Sequence, residues 1–514
     1  MMRVAIVGGG PRGLFAVERL IAHLVAGGGE AEVTVFDPQP PGWGAGYRPD
    51  QPDWLRLNVN AAIVSADGGG AGRPSLGLPS FAGWRRARGE AEPLDPFPPR
   101  ALVGRYFEHC WRDLLAILPP RVSLRHRSHR VTDLTQAGEC WLIDGESYAE
   151  VLLCTGHADD WPGALRHGWS GSPALVPRVY PVEHWLSAVR VPSGSRVACR
   201  GAALTFIDAA LSLTEGRGGR FAVGGYRRSG AEPAWIVPVG RRGGFPQVKP
   251  DPAGPLAALN LCGPRERGLL RCARSGGDVD EVLQAVWQAA ADYLAIATGS
   301  RVPFSAPGVV PPPPVDPVHG LRRSLQVALG RRPPGRTWAL GQAWRDLYPA
   351  IVATLGHQRG SAAAWPRFAA AAGALEPVAF GPPPVNAAKL LALCEAGVVG
   401  AGHLAGQWSQ AVADADVVID CVLTPPGAVA GEWPDDLVEV GMLTRGVGRR
   451  GVAVAPDGSC LNGAGEVVRG LAAAGRLTED VVIGNDTLSR TLHPVLELWA
   501  ERVAVACAAT MVAR

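Results

Sequence analysis

The residues with the clearest chemical meaning stand near the start of the chain. Gly8, Gly10 and Gly13 lie in the order GxGxxG within "VGGGPRGL". Glycine at the first position permits a tight turn, and at the second it lets a pyrophosphate approach the backbone. At the third it lets a helix pack closely on a strand. Pro11 and Arg12 lie between the second and third glycines and are expected beside the same phosphates. Asp37 follows 37 − 13 = 24 residues after the last glycine, where a carboxylate can accept hydrogen bonds from ribose hydroxyls. Residues of these types at this spacing describe a dinucleotide site.

The elements that must position them are legible around the motif. "RVAIV" reads as a short buried strand before it. "LFAVERLIAHLV" reads as a helix after it, with Leu14, Val17, Leu20, Ile21 and Leu24 at helical spacing. The helix N-terminus offers free N–H groups to phosphate. "EVTVFD" is a second strand that delivers Asp37. Further on, "VLLCTGH" is an apolar strand ending at Thr155 and Gly156. Flavoproteins with two dinucleotide domains close their FAD domain with a similar strand and turn, so FAD is favoured over NAD as the first ligand.

A second strand–loop–helix unit follows. "SRVAC" leads through "RGAALTF" into the helical run "IDAALSL". Gly201 is in place, but Ala203 and Phe206 occupy the later glycine positions, and Thr205 opens the helix. A third strand-like segment, "RFAVGGYRRSG", places Arg227 and Arg228 where the 2′-phosphate of NADPH could be clamped. "DADVVIDCVL", after the helical "AAKLLALCEAGVV", has the character of a returning strand. In "VVIGNDTLSRTLHPVLELWA", a strand is expected to lead to Asn485, Asp486 and Thr487 as the cap of a helix. Such a terminus suits the electron-rich pyrimidine edge of a reduced flavin.

The chain is therefore read as α/β, with two dinucleotide-binding (Rossmann-like) domains and an inserted helical region. The FAD-binding domain is assigned to residues 1–165 and 431–514, and the NAD(P)-binding-like domain to 166–299 and 380–430. Residues 300–379, including the proline tract at 306–317, are expected to form a helical lid or substrate region.

Composition narrows the classes. The 514 residues are 47% apolar, enough for a sizeable core, and a net charge of +3 argues for neither a nucleic-acid nor a membrane partner. Of 50 basic residues two are lysine, Lys249 and Lys389, so arginine number carries no functional weight. The ten cysteines form no CxxC pair and no zinc-type cluster, so no metal is expected, and reduced thiols in a cytoplasmic protein are. No secretory leader or transmembrane run is read. Oligomeric state is not legible.

Together "VAIVGGGPRGLFAVERL", "GYRPDQPDWLRLNVNA", "PPRALVGRYFEHCW", "LLCTGH", "RGAALTFIDAALSLTEGRGGRF", "WRDL" and "VIGNDTLSRTLHPVLELWA" resemble the bacterial FAD/NAD(P)-binding domain proteins. These include flavin-dependent monooxygenases that N-hydroxylate aspartate to nitrosuccinate in natural-product pathways. The opening "GGGPRGL" is more distantly similar to ornithine and lysine N-hydroxylases. The resemblance implies FAD on Gly8, Gly10, Gly13 and Asp37, and Asn58 of "WLRLNVNAA" as a polar contact of the isoalloxazine. It puts Thr155 and Gly156 on the opposite side of the cofactor and Val131 among its further neighbours. It implies NADPH as reductant, dioxygen as oxidant and the unprotonated amine of a small amino acid as substrate. An acidic amino acid would need a guanidinium, for which Arg345 and Arg359 are the candidates.

No catalytic base stands out; His157, His184, His357 and His493 are candidates by residue type alone. The family usually carries a glycine where Ala203 stands. That departure keeps open a flavin oxidase or dehydrogenase that never uses NADPH, and a flavin-binding protein without turnover.

Overall fold

The computed structural model describes all residues except 71, 258, 260–262, 275–276, 300–303, 305–309, 358–360 and 513–514. Strand β1 (Met2–Val7) is the centre of the first sheet, and Val4, Ala5 and Ile6 are fully buried between the helix that follows it and a small antiparallel sheet within residues 135–148. It pairs in parallel with β2 (Ala31–Phe36) on one side and β4 (Glu150–Leu153) on the other. Strand β3 (Val122–Arg127) lies outside β2. Beyond β4 comes Val467–Ala473, again parallel, and then the antiparallel edge strand Ser459–Leu461. Helix α1 (Pro11–Gly27) crosses back from β1 and packs against the C-terminal helix Val495–Val512.

The second sheet is wholly parallel. Its order is Trp235–Val239 (β7), Arg196–Arg200 (β6), Val417–Asp420 (β8) and Ala174–Val176 (β5). Helix α2 (Leu204–Ser212) follows β6 and packs beside Pro384–Glu395. Two Rossmann-like sheets with an inserted helical body make this an α/β architecture, as the strand–helix alternation implies.

Helices Val279–Thr298, Arg336–Leu355 and Trp365–Ala379 share a core of their own around Trp287, Tyr293, Trp344 and Phe368. The helical body thus begins ahead of residue 300. Asp278 caps Val279–Thr298, accepting from Asp280 N–H (2.6 Å) and Glu281 N–H (3.3 Å). Asp278→Ala is expected to lower stability by about 1 kcal/mol, read as a shift in urea midpoint with an unchanged slope.

Two segments depart from the expected elements. "RFAVGGYRR" is not a strand of the second sheet but a separate antiparallel hairpin, Arg220–Ala222 with Gly225–Arg227. Gly224 and Gly225, both at positive φ, let the chain reverse there. "VVIG" forms turns rather than a strand. Val481 and Val482 donate their N–H groups to Thr478 O, and Gly484 and Asn485 donate theirs to the Glu479 carboxylate. These local bonds take the donors that a ladder would need.

Candidate functional site: two nucleotide turns

The turn after β1 is built by three glycines with different tasks. Gly8 stands at φ +104° and donates its N–H to Phe36 O at 2.8 Å. A Cβ on it would lie 2.4 Å from Cys154 O, and one on Gly13 would lie 2.0 Å from Gly8 O. Both positions are closed by backbone. Gly10 is different. It caps α1 at φ −64°, and a Cβ there would meet nothing nearer than Gly44 Cα at 3.4 Å. Gly10 therefore keeps an approach to the helix N-terminus open.

Asp37 follows β2. Its carboxylate accepts from Gly9 N–H and Gln39 N–H, both at 2.7 Å. These bonds fix the carboxylate beside the turn. Thr155 N lies 3.3 Å from the position of a Gly8 Cβ, so the turn after β4 closes against the same place. Gly8, Gly10, Gly13, Asp37, Thr155 and Gly156 are thus gathered at the carboxyl ends of three adjacent strands, where open α/β sheets bind ligands.

Pro11 and Arg12 open α1. The Nε and Nη2 atoms of Arg12 are buried with no partner among the described residues. Burial holds the Arg12 guanidinium down to about 10, offset in part by Asp486, Cys154 and Glu479. Arg476 Nε, His493 Nε2 and Trp43 Nε1 are also buried without partners. Gly475 packs against Arg12, and Gly44, next to Trp43, packs against Gly10. Buried donors left unpaired are costly, and a pyrophosphate at the α1 N-terminus would supply their acceptors. The residues present therefore fit a dinucleotide. Arg476 and Trp43 carry no motif that would mark them in the sequence.

Other expected contacts are placed less directly. Val131 is buried in the core of the first sheet, so only its backbone could meet a ligand. Asn485, Asp486 and Thr487 do not cap a helix, since the next helix begins at Val495. Asn485 instead donates to Thr478 Oγ1 at 2.6 Å, Asp486 accepts from Arg476 at 3.3 Å, and Thr487 accepts from Ser489 N–H. They lie in the loop that faces Arg12: Asn485 and Arg12 line one pocket with Arg19, Arg73, Arg490 and His493. Burial, then the charge of Arg12, holds His493 down to about 3, so its imidazole is neutral.

The second turn repeats the first. Gly201 stands at φ +106° and donates to Val239 O at 2.8 Å. A Cβ on it would lie 3.4 Å from Cys421 O, as one on Gly8 would meet Cys154 O. Ala203 takes the place of Gly10 and is exposed, and Thr205 is half-buried in the first turn of α2. Phe206, in the place of Gly13, is buried and stacks on Phe245.

This correspondence corrects the placement of the arginines. Asp37 is the residue after β2, and its counterpart after β7 is Gly240, followed by Arg241 and Arg242. Arg227 and Arg228 lie on the hairpin instead. Arg228 donates to Pro233 O (3.2 Å) and Ala234 O (3.0 Å), at the opposite end of β7. Arg241 is exposed, while Arg242 donates to the carbonyls of Gly373 and Ala374.

Asn58 lines a pocket with Arg56, Arg100, Leu204, Pro382 and Asn386, between the first sheet's domain and the second. Arg345 commits two nitrogens to the protein, to Ala379 O at 2.7 Å and Gln342 Oε1 at 2.6 Å. It is not a free clamp for a carboxylate. Arg359 lies outside the described residues. Among the described residues no helix is long and apolar enough to cross a membrane.

Fold and site together define a protein with two dinucleotide-type turns, one on a mixed sheet and one on a parallel sheet. The model of a family described as FAD-NAD(P)-binding matches residues 5–158, the segment that holds the first turn. Nitrosuccinic acid synthase npaA of Aspergillus oryzae is 31% identical over 275 residues, 47% of this chain and 40% of that protein. The L-aspartate N-monooxygenase (nitrosuccinate-forming) of Streptomyces cremeus is 33% identical over 288 residues, 48% of this chain and 42% of the relative. The chain thus matches less than half the length of these curated relatives. Among solved structures, L-lysine 6-monooxygenase from Pseudomonas syringae aligns over 99% of both chains, with a TM-score of 0.41 and 14% identity.

Proposed function

We propose that the chain is an FAD-dependent, NADPH-using monooxygenase that N-hydroxylates the amine of a small, aspartate-like amino acid with dioxygen. The observation that carries this reading is the repeated turn. Gly8 and Gly201 share a positive φ, each donates to the last residue of the neighbouring strand and each faces the carbonyl of a cysteine, which supports two places for a dinucleotide. The similarity to aspartate N-monooxygenases supports the choice of reaction.

FAD, when bound, supplies the redox chemistry and the activation of oxygen. The protein's own residues do the rest. The α1 N-terminus and Arg12 hold the pyrophosphate, and Asp37 accepts from the ribose. Gly201, Thr205 and Arg241 receive the reductant's nucleotide. The helical body covers the junction and keeps water from the reacting amine.

Anaerobic mixing with NADPH, followed through flavin absorbance, tests the reading. Rapid bleaching is expected, followed in air by NADPH consumption that rises with aspartate and yields N-oxygenated product. Flavin that bleaches with an amine or amino acid but never with NADPH would favour the oxidase or dehydrogenase reading, for which the extra methyl of Ala203 argues.

A further inference from the structure

Lys249 is one of two lysines in the chain, and it is buried, at 8% exposure. Its place is fixed from several sides. Val248 N–H donates to Ser324 Oγ at 2.8 Å, and Lys249 N–H donates to Pro382 O at 3.0 Å. The ammonium donates to Asn58 O and lies 5.8 Å from the Phe380 ring. The charge that acts on it is another cation, Arg345, and among the described residues no ion pair joins it to a carboxylate. Burial, then Arg345, pushes the amine down to about 7. A buried amine without an anion is costly unless a ligand supplies one.

The adjoining pocket is lined by Asn58 and Pro382, which Lys249 bonds through its ammonium and its backbone N–H respectively. Two more atoms there lack partners. Arg56 Nε is a buried donor without an acceptor, although Nη2 of the same guanidinium donates to Asp95. Asn386, at 4% exposure, has Oδ1 buried without a donor. Arg100 is paired with Asp208 at 2.7 Å, and its own nitrogens add no free donor to the pocket. The unpaired atoms lining the pocket are thus a guanidinium donor and a neutral acceptor, with the Lys249 ammonium on the far side of Asn58. That is the complement of a carboxylate and an amine held by one small molecule.

We infer that Lys249 and Arg56 form the carboxylate-recognition site for an amino-acid substrate, with Asn386 facing its amine. This rests on the monooxygenase reading for the word substrate, but the binding site itself does not. Phosphate is the poorer match, because neither Lys249 nor Arg56 stands in a glycine turn or at a helix N-terminus.

With two lysines, the chain grown on [13Cε]lysine gives two side-chain resonances, and Lys389→Arg leaves that of Lys249 alone. Titrating the FAD-loaded protein with succinate, an unreactive dicarboxylate, is expected to move the Lys249 resonance toward the ammonium form. Succinamide is expected to leave it in place, and Arg56→Gln to weaken the succinate midpoint about tenfold. No shift with succinate, an equal shift with succinamide, or a shift with NADP+ alone would overturn the assignment. The NADPH bleaching assay reads the other claim separately. Bleaching without a succinate shift removes this site and leaves the monooxygenase reading. A succinate shift without bleaching keeps the carboxylate site and removes that reading.

Discussion

Gly10→Val is expected to give a folded protein that no longer keeps FAD through desalting, with affinity reduced about 100-fold, or about 2.7 kcal/mol. The fold should survive because φ at Gly10 is −64°, open to any residue, and a Cβ there touches only Gly44 Cα at 3.4 Å. The cofactor should not, because the added side chain fills the approach to the α1 N-terminus. Gly13→Val supplies the contrast. Its Cβ would sit 2.0 Å from Gly8 O, so strand and helix must part, and little folded protein is expected. Flavin absorbance after desalting and far-ultraviolet thermal melts separate the two outcomes. A Gly10→Val protein that remains stoichiometrically yellow would sink the claim that this turn holds the pyrophosphate.

A second large effect is expected at the end of β7. The Arg241→Ala, Arg242→Ala double variant should bind NADPH some 10–150-fold more weakly, about 1.5–3 kcal/mol, while NADH binding stays as it was. Arg241 dominates this expectation, since Arg242 already serves the carbonyls of Gly373 and Ala374. The matching double variant at Arg227 and Arg228 should change neither nucleotide, because the hairpin lies at the wrong end of the strand. Stopped-flow reduction with both nucleotides measures all four affinities. An unchanged NADPH-to-NADH ratio in the first variant would show that these arginines do not read the phosphate.

The first turn was legible because its constraints are local. A glycine forced by a backbone contact and an acid at the end of the next strand leave a mark within 40 residues of sequence. The same is true of Thr155, which follows an apolar strand directly. The arginines at 227 and 228 misled for a physical reason. "RFAVGGYRR" has strand composition, yet its paired glycines turn it into a hairpin, and the true sheet strand follows a few residues later as "WIVPV". "VVIG" misled likewise, since apolar composition cannot announce that the Glu479 carboxylate will claim nearby backbone donors. Lys249 left no trace of its role. Its meaning comes from Asn58, Arg345 and Pro382, which lie far from it in the chain and meet it only in three dimensions.

The strand Val467–Ala473, seated beside β4, has a consequence for how the molecule comes into being. During synthesis the ribosome delivers β1 to β4 early, then more than 300 residues pass before the neighbour that finishes the sheet emerges. Until then β4 presents an unsatisfied apolar edge, the kind of surface that invites wrong pairings and chaperone capture. Arg476 and the 485–487 loop arrive in that same last stretch. On the FAD-dependent reading proposed above, the nascent chain shapes the glycine turn long before it can grip a flavin, and cofactor capture becomes a late event that closes the assembly.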